Sequence, residues 1–247
     1  MTTAAPVALE IAVTSPSGAV VARDAGADRV ELCVGLELGG LTPSQALVET
    51  VHETGIPAHA LVRCRPGGFV HTDDEVALME REVRSVLRSG AAGVVVGALR
   101  PDQTLDEDAL RRFVDAARSV SAVAEVTLHR AVDHAADPVA AAGTLAGLGF
   151  TRVLTSGAAP SARAGLETIR RMAAAAGPVQ VMAGAGVRPA DVPALVGAGV
   201  AAVHLSAKRR SEETAHAGVP MGGSDDGGAH FVTDAAVVAA ARRALDG

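Results

Sequence analysis

Residues capable of acid–base, anion-binding and metal chemistry recur on short apolar runs of this chain. Glu10 lies in VALEIAV (7–13), Glu31 and Cys33 in RVELCV (29–34), and Arg63 closes AHALVR (58–63). His129 closes AEVTLH (124–129), Ser156 closes TRVLTS (151–156), and His204 and Ser206 fall in AAVHLS (201–206). Successive side chains of a strand point to opposite faces. Leu9, Ile11 and Val13 therefore share one face and leave Glu10 and Ala12 on the other. Val30 and Leu32 leave Glu31 and Cys33. Val126 and Leu128 leave Glu125, Thr127 and His129, while Val203 and Leu205 leave His204 and Ser206. Arg63 opposes Val62 and Cys64, and Ser156 opposes Val153 in the same way. Carboxylates, a guanidinium, imidazoles and hydroxyls converge on one interior. Buried charge is costly unless paired, so the set either forms a compensated network, with Glu10 and Glu31 paired to Arg63 or Arg152, or binds and transforms a ligand. In the second case the catalytic candidates are Glu10, Glu31, Arg63 and His129. His129 would shuttle a proton, a glutamate would orient or accept it, and Arg63 would neutralise an anion.

Two loops add anion-binding candidates. In MAGAGVRPADV (182–192), Gly184 and Gly186 precede a helical stretch, where small residues let backbone N–H groups approach an anion. Ser206 and Ser156 would complete that cradle; the glycines fit equally well a tight turn that admits only small residues. Arg63 and Arg65 precede a Pro-Gly-Gly turn in RCRPGGF (63–69), and arginine suits bidentate recognition of carboxylate or phosphate. Cys64 should face a helix as a small hydrophobe. His52, His59, His71, His134, His216 and His230 read as solvated or satisfied side chains of helices and loops. Lys208, the sole lysine, reads as a solvated loop cation.

The elements that must position these residues alternate along the whole chain. The strand-like runs above, joined by 93–97 and 178–183, are separated by helical patterns near 15–25, 43–53, 73–89, 106–118, 137–148, 160–176, 189–198 and 233–245. Over 73–89, Val76, Met79, Val83 and Val86 form one stripe, with Asp73 or Asp74 as cap and Gly90 as stop. Eight strand–helix units in about 250 residues match an α/β fold, a single (β/α)8 TIM-like barrel of parallel strands and outer helices, with function at the C-terminal strand ends. A doubly wound open sheet is the alternative. No linker divides residues 1–247, so one domain is expected, with a long Gly-rich loop at 207–231 after the eighth strand.

Composition narrows the partners. Among 247 residues there is no Trp or Tyr and there are four Phe, which argues against base-stacking platforms and aromatic cages. The formal net charge of −6 has the wrong sign for a nucleic-acid binder. Two cysteines are too few for a disulfide framework and suit a reducing compartment. The N-terminus lacks a basic, then long apolar segment, and no run approaches the ~20 residues that span a bilayer. A cytoplasmic protein acting on small molecules, with no nucleotide cofactor, no nucleic acid and no membrane partner, is expected.

The stretches LEIAVTS (9–15), GADRVELC (26–33), GGLTPS (39–44), RCRPGGF (63–69), TLHRAVD (127–133), RVLTSG (152–157), MAGAGV (182–187) and VHLSA (203–207) resemble the CutC family of copper homeostasis proteins in order and over nearly the whole chain. The resemblance implies a TIM-like barrel, a cytoplasmic location, dimers or higher homo-oligomers, and a role in binding or handling Cu(I). It ties copper to two cysteines. Cys33 occupies one of these positions and becomes the candidate metal ligand, whereas Ala12 occupies the other. The family's R-P-R-G-G-D-F stretch corresponds to RCRPGGF, with Cys64 and Pro66 in place of the proline and first glycine and Gly68 in place of the aspartate. MGGSDD (221–226) is loosely similar to a Met-containing loop of the family. Two functions stay open: a cytosolic Cu(I)-binding protein, and a barrel enzyme that uses acid–base chemistry on a small anionic or phosphorylated metabolite.

Overall fold

A computed structural model describes residues 6–211 and 230–247 of the chain. Eight parallel strands close into a barrel: β1 (Ala8–Val13), β2 (Arg29–Leu32), β3 (Ala58–Leu61), β4 (Gly93–Val96), β5 (Glu125–Leu128), β6 (Arg152–Thr155), β7 (Gln180–Ala183) and β8 (Ala202–Leu205). Each strand bonds to the next, and β8 returns to β1, where Ala8 to Ile11 pair with Ala202 to Leu205. Closure removes the open-sheet alternative. The outer helices are α1 (Pro16–Asp24), α2 (Gln45–His52), α3 (Asp73–Arg88), α4 (Glu107–Val120), α5 (Pro138–Thr144), α6 (Leu166–Ala175), α7 (Val192–Val196) and α8 (Ala235–Asp246).

Local chemistry sets the helix starts. Ser15, Ser44, Asp106, Asp137 and Asp234 each cap a helix through a side-chain oxygen that accepts a backbone N–H, and Pro16 and Pro138 occupy first-turn positions. The cap of α3 is Thr72 rather than Asp73 or Asp74. Its Oγ1 accepts from Glu75 N while the Glu75 carboxylate accepts from Thr72 N, and the two aspartates sit in the first turn against the positive helix end. The helical stretch expected at 160–176 begins only at Leu166, and that at 189–198 is a 3-10 turn (Pro189–Asp191) followed by α7.

Strand side chains alternate between the outer layer and the interior around the barrel. Leu9, Ile11, Val30, Leu32, Val126, Leu128, Val203 and Leu205 are fully or almost fully buried in the layer between strands and helices. The opposite parity builds the interior from two small aliphatic groups, Cys33 with Leu61 and Val95, and Leu154 with Met182 and Ala202. Burial of an aliphatic side chain contributes about 1.5–3 kcal/mol, so the outer layer fixes the strand register and hence which polar residues point inward.

Both ends of the expected 207–231 loop are strands. Lys208–Arg210 (β9) and Phe231–Thr233 (β10) pair antiparallel, and Lys208 Nζ stands 4.4 Å from the Phe231 ring centroid. His216 and MGGSDD (221–226) lie outside the described residues.

Candidate functional site

A cavity of about 430 Å³ opens at the C-terminal ends of the strands. Glu31, Arg63, His129, Arg130, His134, His204, Ser206 and Lys208 give it polar walls, and Leu36, Leu38, Leu61, Phe69, Leu154 and Val187 give it apolar ones. A concave, partly apolar pocket with a few convergent polar groups is the usual form of a small-molecule site.

Its floor is organised by β1, which lies between β8 and β2 and so sets Glu10 beside both His204 and Arg29. Glu10 is fully buried; Oε1 lies 2.8 Å from His204 Nδ1, and Oε2 accepts from Arg29 Nε. Burial alone would raise the Glu10 carboxyl, but the His204 hydrogen bond and the Arg29 charge hold it well below the usual carboxylate range. Burial likewise works against a charged His204, yet the carboxylates of Glu31 and Glu10 lift its pKa above the ordinary value. Glu31 is pushed up to about 7 by burial, with Glu10 adding to the rise and His204 opposing it. Its Oε2 is buried with no hydrogen-bond partner among the described residues. An imidazole favouring its protonated form thus stands beside a carboxyl that titrates near neutrality. The nitrogen and carboxylate ligand atoms of Glu10, Glu31 and His204 all lie within 4.8 Å of one another, a mixed set that would have to lose its protons before it held a cation.

Deeper in the barrel, Arg152 donates to Glu125, Gln180 and Thr127. His59 is a residue of the barrel interior, on β3 and 2% exposed, and not of a loop or helix; its ring approaches Glu10 at 3.9 Å and Glu125 at 3.5 Å. The partner of Glu10 is Arg29, where the sequence suggested Arg63 or Arg152. Arg29 shares the inward parity of Glu31 and Cys33, which is the signal that could have found it.

The other candidates divide by position. His129 lines the cavity, its ring 4.8 Å from that of Phe69, and Nδ1 accepts from Ala131 N at 3.1 Å. Burial and the nearby Arg63 push its pKa down to about 3, so the ring is neutral with its proton on Nε2, which has no partner among the described residues. That state suits hydrogen-bond donation to a ligand oxygen rather than proton shuttling. Arg63 donates to the carbonyls of Leu38, Gly40 and Gly67 and lies 5.5 Å from the Phe69 centroid, so it joins two loops as well as lining the pocket. Arg65 and Ser156 are not brought to the cavity. Arg65 pairs with Glu75 on an exposed turn, and Ser156 is fully buried, bonded to Asp133 and to the Ala159 carbonyl.

Gly186 lies on the cavity wall, whereas the Gly184 N–H is taken by Thr155 O at 2.9 Å. A Cβ at Gly184 would stand 2.5 Å from Leu154 Cδ1 and 3.4 Å from His204, so a larger residue there would have to displace the end of the Leu154 side chain. Ala185 and Gly186 both have positive φ, 78° and 62°. The amides of Ala185, Gly186 and Val187 meet no protein acceptor among the described residues. Ser206 and Lys208 sit on the same wall, and Lys208 is a cavity-lining cation on β9 rather than a residue of an open loop. Cys33 is fully buried, and burial followed by Glu31 and Glu37 drives its thiol far above the usual value. It joins no cluster of ligand-type side chains among the described residues. The donors around it therefore do not fit a soft Cu(I) ion, which needs thiolate or thioether ligands.

A closed parallel eight-stranded barrel, ringed by helices and carrying a polar pocket at its C-terminal end, defines a TIM-barrel protein. Within that class the chain belongs to the CutC family, whose profile matches residues 7–209. It is 43% identical over 233 residues to a CutC family protein of Xanthomonas campestris pv. campestris (strain 8004), covering 93% of this chain and 95% of the relative. A CutC family protein of Klebsiella pneumoniae (strain 342) is 40% identical over 222 residues, 88% of each chain. The crystal structure of CutC from Streptococcus agalactiae superimposes with a TM-score of 0.73 at 25% identity, covering 81% of this chain and 98% of that one.

Proposed function

We propose that this chain is an enzyme that uses acid–base chemistry on a small anionic metabolite bound at the C-terminal end of the barrel. The observation that carries the reading is the buried carboxyl of Glu31, whose Oε2 has no hydrogen-bond partner among the described residues, at the cavity beside the His204 imidazole, which Glu10 anchors from behind. A carboxyl titrating near 7 can both take and return a proton at neutral pH, the property that a general base needs. His204 supplies the complementary acid, and Glu10 keeps that ring oriented and favours its charged form. His129 Nε2, Arg130, Lys208 and the amides of 185–187, which meet no acceptor among the described residues, offer donors and positive charge to the anionic part of the substrate. Leu36, Leu61 and Leu154 cover the apolar side and keep bulk water from the carboxyl.

The finer reading that the family name carries, cytosolic Cu(I) handling through Cys33, has less support from the donor set, because the thiol is protonated and enclosed by Leu61 and Val95. The two free cysteines, and the lack among the described residues of a helix long and apolar enough to cross a membrane, accord with the reducing cytosolic setting we propose. The test is to incubate the purified protein with a small-molecule extract and follow metabolite masses. The acid–base reading expects an anionic species to be consumed by the wild type and by Cys33→Ser but not by Glu31→Gln. Consumption that survives Glu31→Gln would overturn it.

A further inference from the structure

Outside the barrel interior, one group of ligand-type side chains plays no part in the cavity. Cys64 follows β3, His71 precedes the cap of α3, and Glu75 sits in its first turn. The chain thereby brings a sulfur, a ring nitrogen and a carboxylate oxygen within 4.8 Å of one another. The His71 side chain is 1% exposed; Nδ1 stands 3.5 Å from Glu75 Oε2, the Gly97 backbone is its other polar neighbour, and neither ring nitrogen makes a hydrogen bond of good geometry among the described residues. A buried imidazole held only by such long contacts is under-satisfied, since each nitrogen forgoes its bond to water. Cys64 and Glu75 are half-buried, so the group is reachable from solvent while its histidine is not.

We propose that Cys64, His71 and Glu75 form a binding site for a borderline divalent cation of the zinc class, separate from the barrel cavity. Thiolate, imidazole and carboxylate are the three zinc ligand types, bound at roughly 2.0–2.3 Å, and three protein ligands leave a fourth position for water. Side-chain rotation of about an ångström brings the donors to the spacing of a tetrahedral site. On loading, the Cys64 S–H bond gives its proton to solvent as the sulfur–metal bond forms. Arg65 is the competitor. Its guanidinium occupies both Glu75 oxygens, and Thr72 N donates to one of them, so the cation and Arg65 are alternative partners of the same carboxylate. Arg65 also donates to the carbonyls of Pro66, Gly68 and Val70, so its guanidinium keeps partners on the turn when the ion takes the carboxylate.

The probe is cobalt(II) chloride, titrated into the full-length protein and followed by absorption. The site predicts tetrahedral ligand-field bands and a thiolate-to-cobalt charge-transfer band that saturate near one equivalent and are displaced by Zn²⁺. Cys64→Ser, checked by circular dichroism for an unchanged fold, should lose the charge-transfer band, His71→Ala should weaken binding more than tenfold, and Cys33→Ser should change nothing. Arg65→Gln should tighten binding roughly two- to fivefold by removing an exposed competing ion pair. Absence of the bands, their survival in Cys64→Ser, their loss in Cys33→Ser, or weaker binding in Arg65→Gln would each overturn the site.

Discussion

Glu10 of β1 and His204 of β8 meet across neighbouring strands with 2.8 Å between Oε1 and Nδ1, and this pair aims the imidazole at the carboxyl of Glu31. The chemistry of the cavity depends on that contact, because the carboxylate behind the ring fixes its orientation and favours its charged form.

Removal of the Glu10 charge should therefore be costly. Glu10→Gln leaves the buried Arg29 guanidinium without its counter-ion and should destabilise the protein by about 3–5 kcal/mol in urea unfolding near neutral pH. Because the native Glu10 pKa is depressed, its contribution is present above the unfolded value and is lost as pH falls below it. The gap between wild type and variant should shrink in acid. A gap below 1 kcal/mol at pH 7 would contradict the role.

Glu31 has the opposite sign. Its native pKa is raised, so between the unfolded value and about 7 the unfolded chain ionises first and stability falls as pH rises. Glu31→Gln removes that penalty and should raise the melting temperature above pH 7, by an amount equivalent to at most about 3 kcal/mol, with little difference near pH 4. A variant less stable than wild type at pH 8 would show that the carboxyl is paired in the native state.

Gly184 tests the packing around His204. The methyl of Gly184→Ala runs into Leu154 and crowds His204, which should cost about 1–3 kcal/mol and displace the imidazole. The check is a thermal melt combined with the His204 ring resonances. A neutral substitution with unmoved resonances would mean that the neighbours yield freely.

The two cysteines should differ in reactivity. Cys33 is fully buried with a strongly raised thiol, whereas Cys64 is half-buried and raised by burial and by Glu75. A thiol reagent applied to the native protein should label Cys64 and leave Cys33 until the chain unfolds. Cu(I) titration against a competing chelator should give the same uptake in wild type and Cys33→Ser. Uptake lost in that variant would restore Cys33 as the copper ligand.

Much of this arrangement was legible in the sequence because strand parity and βα alternation are local. Leu9, Ile11 and Val13 on one face oblige Glu10 to the other, and the same rule put Glu31, Cys33, His129, His204 and Ser206 inside. What parity leaves open is which inward residues touch, since that follows from the stagger of neighbouring strands. Glu10 meets Arg29 and His204 because β1 lies between β2 and β8, a closure that no local pattern contains. For the same reason parity turns His204 inward without showing that Glu10 holds it, and His59, within AHALVR, points into the barrel although the sequence reads it as a residue of a helix or loop. Arg65 and Ser156 looked available because nothing in the sequence shows that Glu75 and Asp133 have already claimed them.

The central claim is that Glu31 is a poised proton acceptor beside an imidazolium, and a pH titration of its carboxyl by carbon-13 NMR, assigned through Glu31→Gln, tests it most directly. The Glu31 resonance should titrate at about 7 and be coupled to the His204 ring. A midpoint at the ordinary glutamate value of about 4.3 would contradict it.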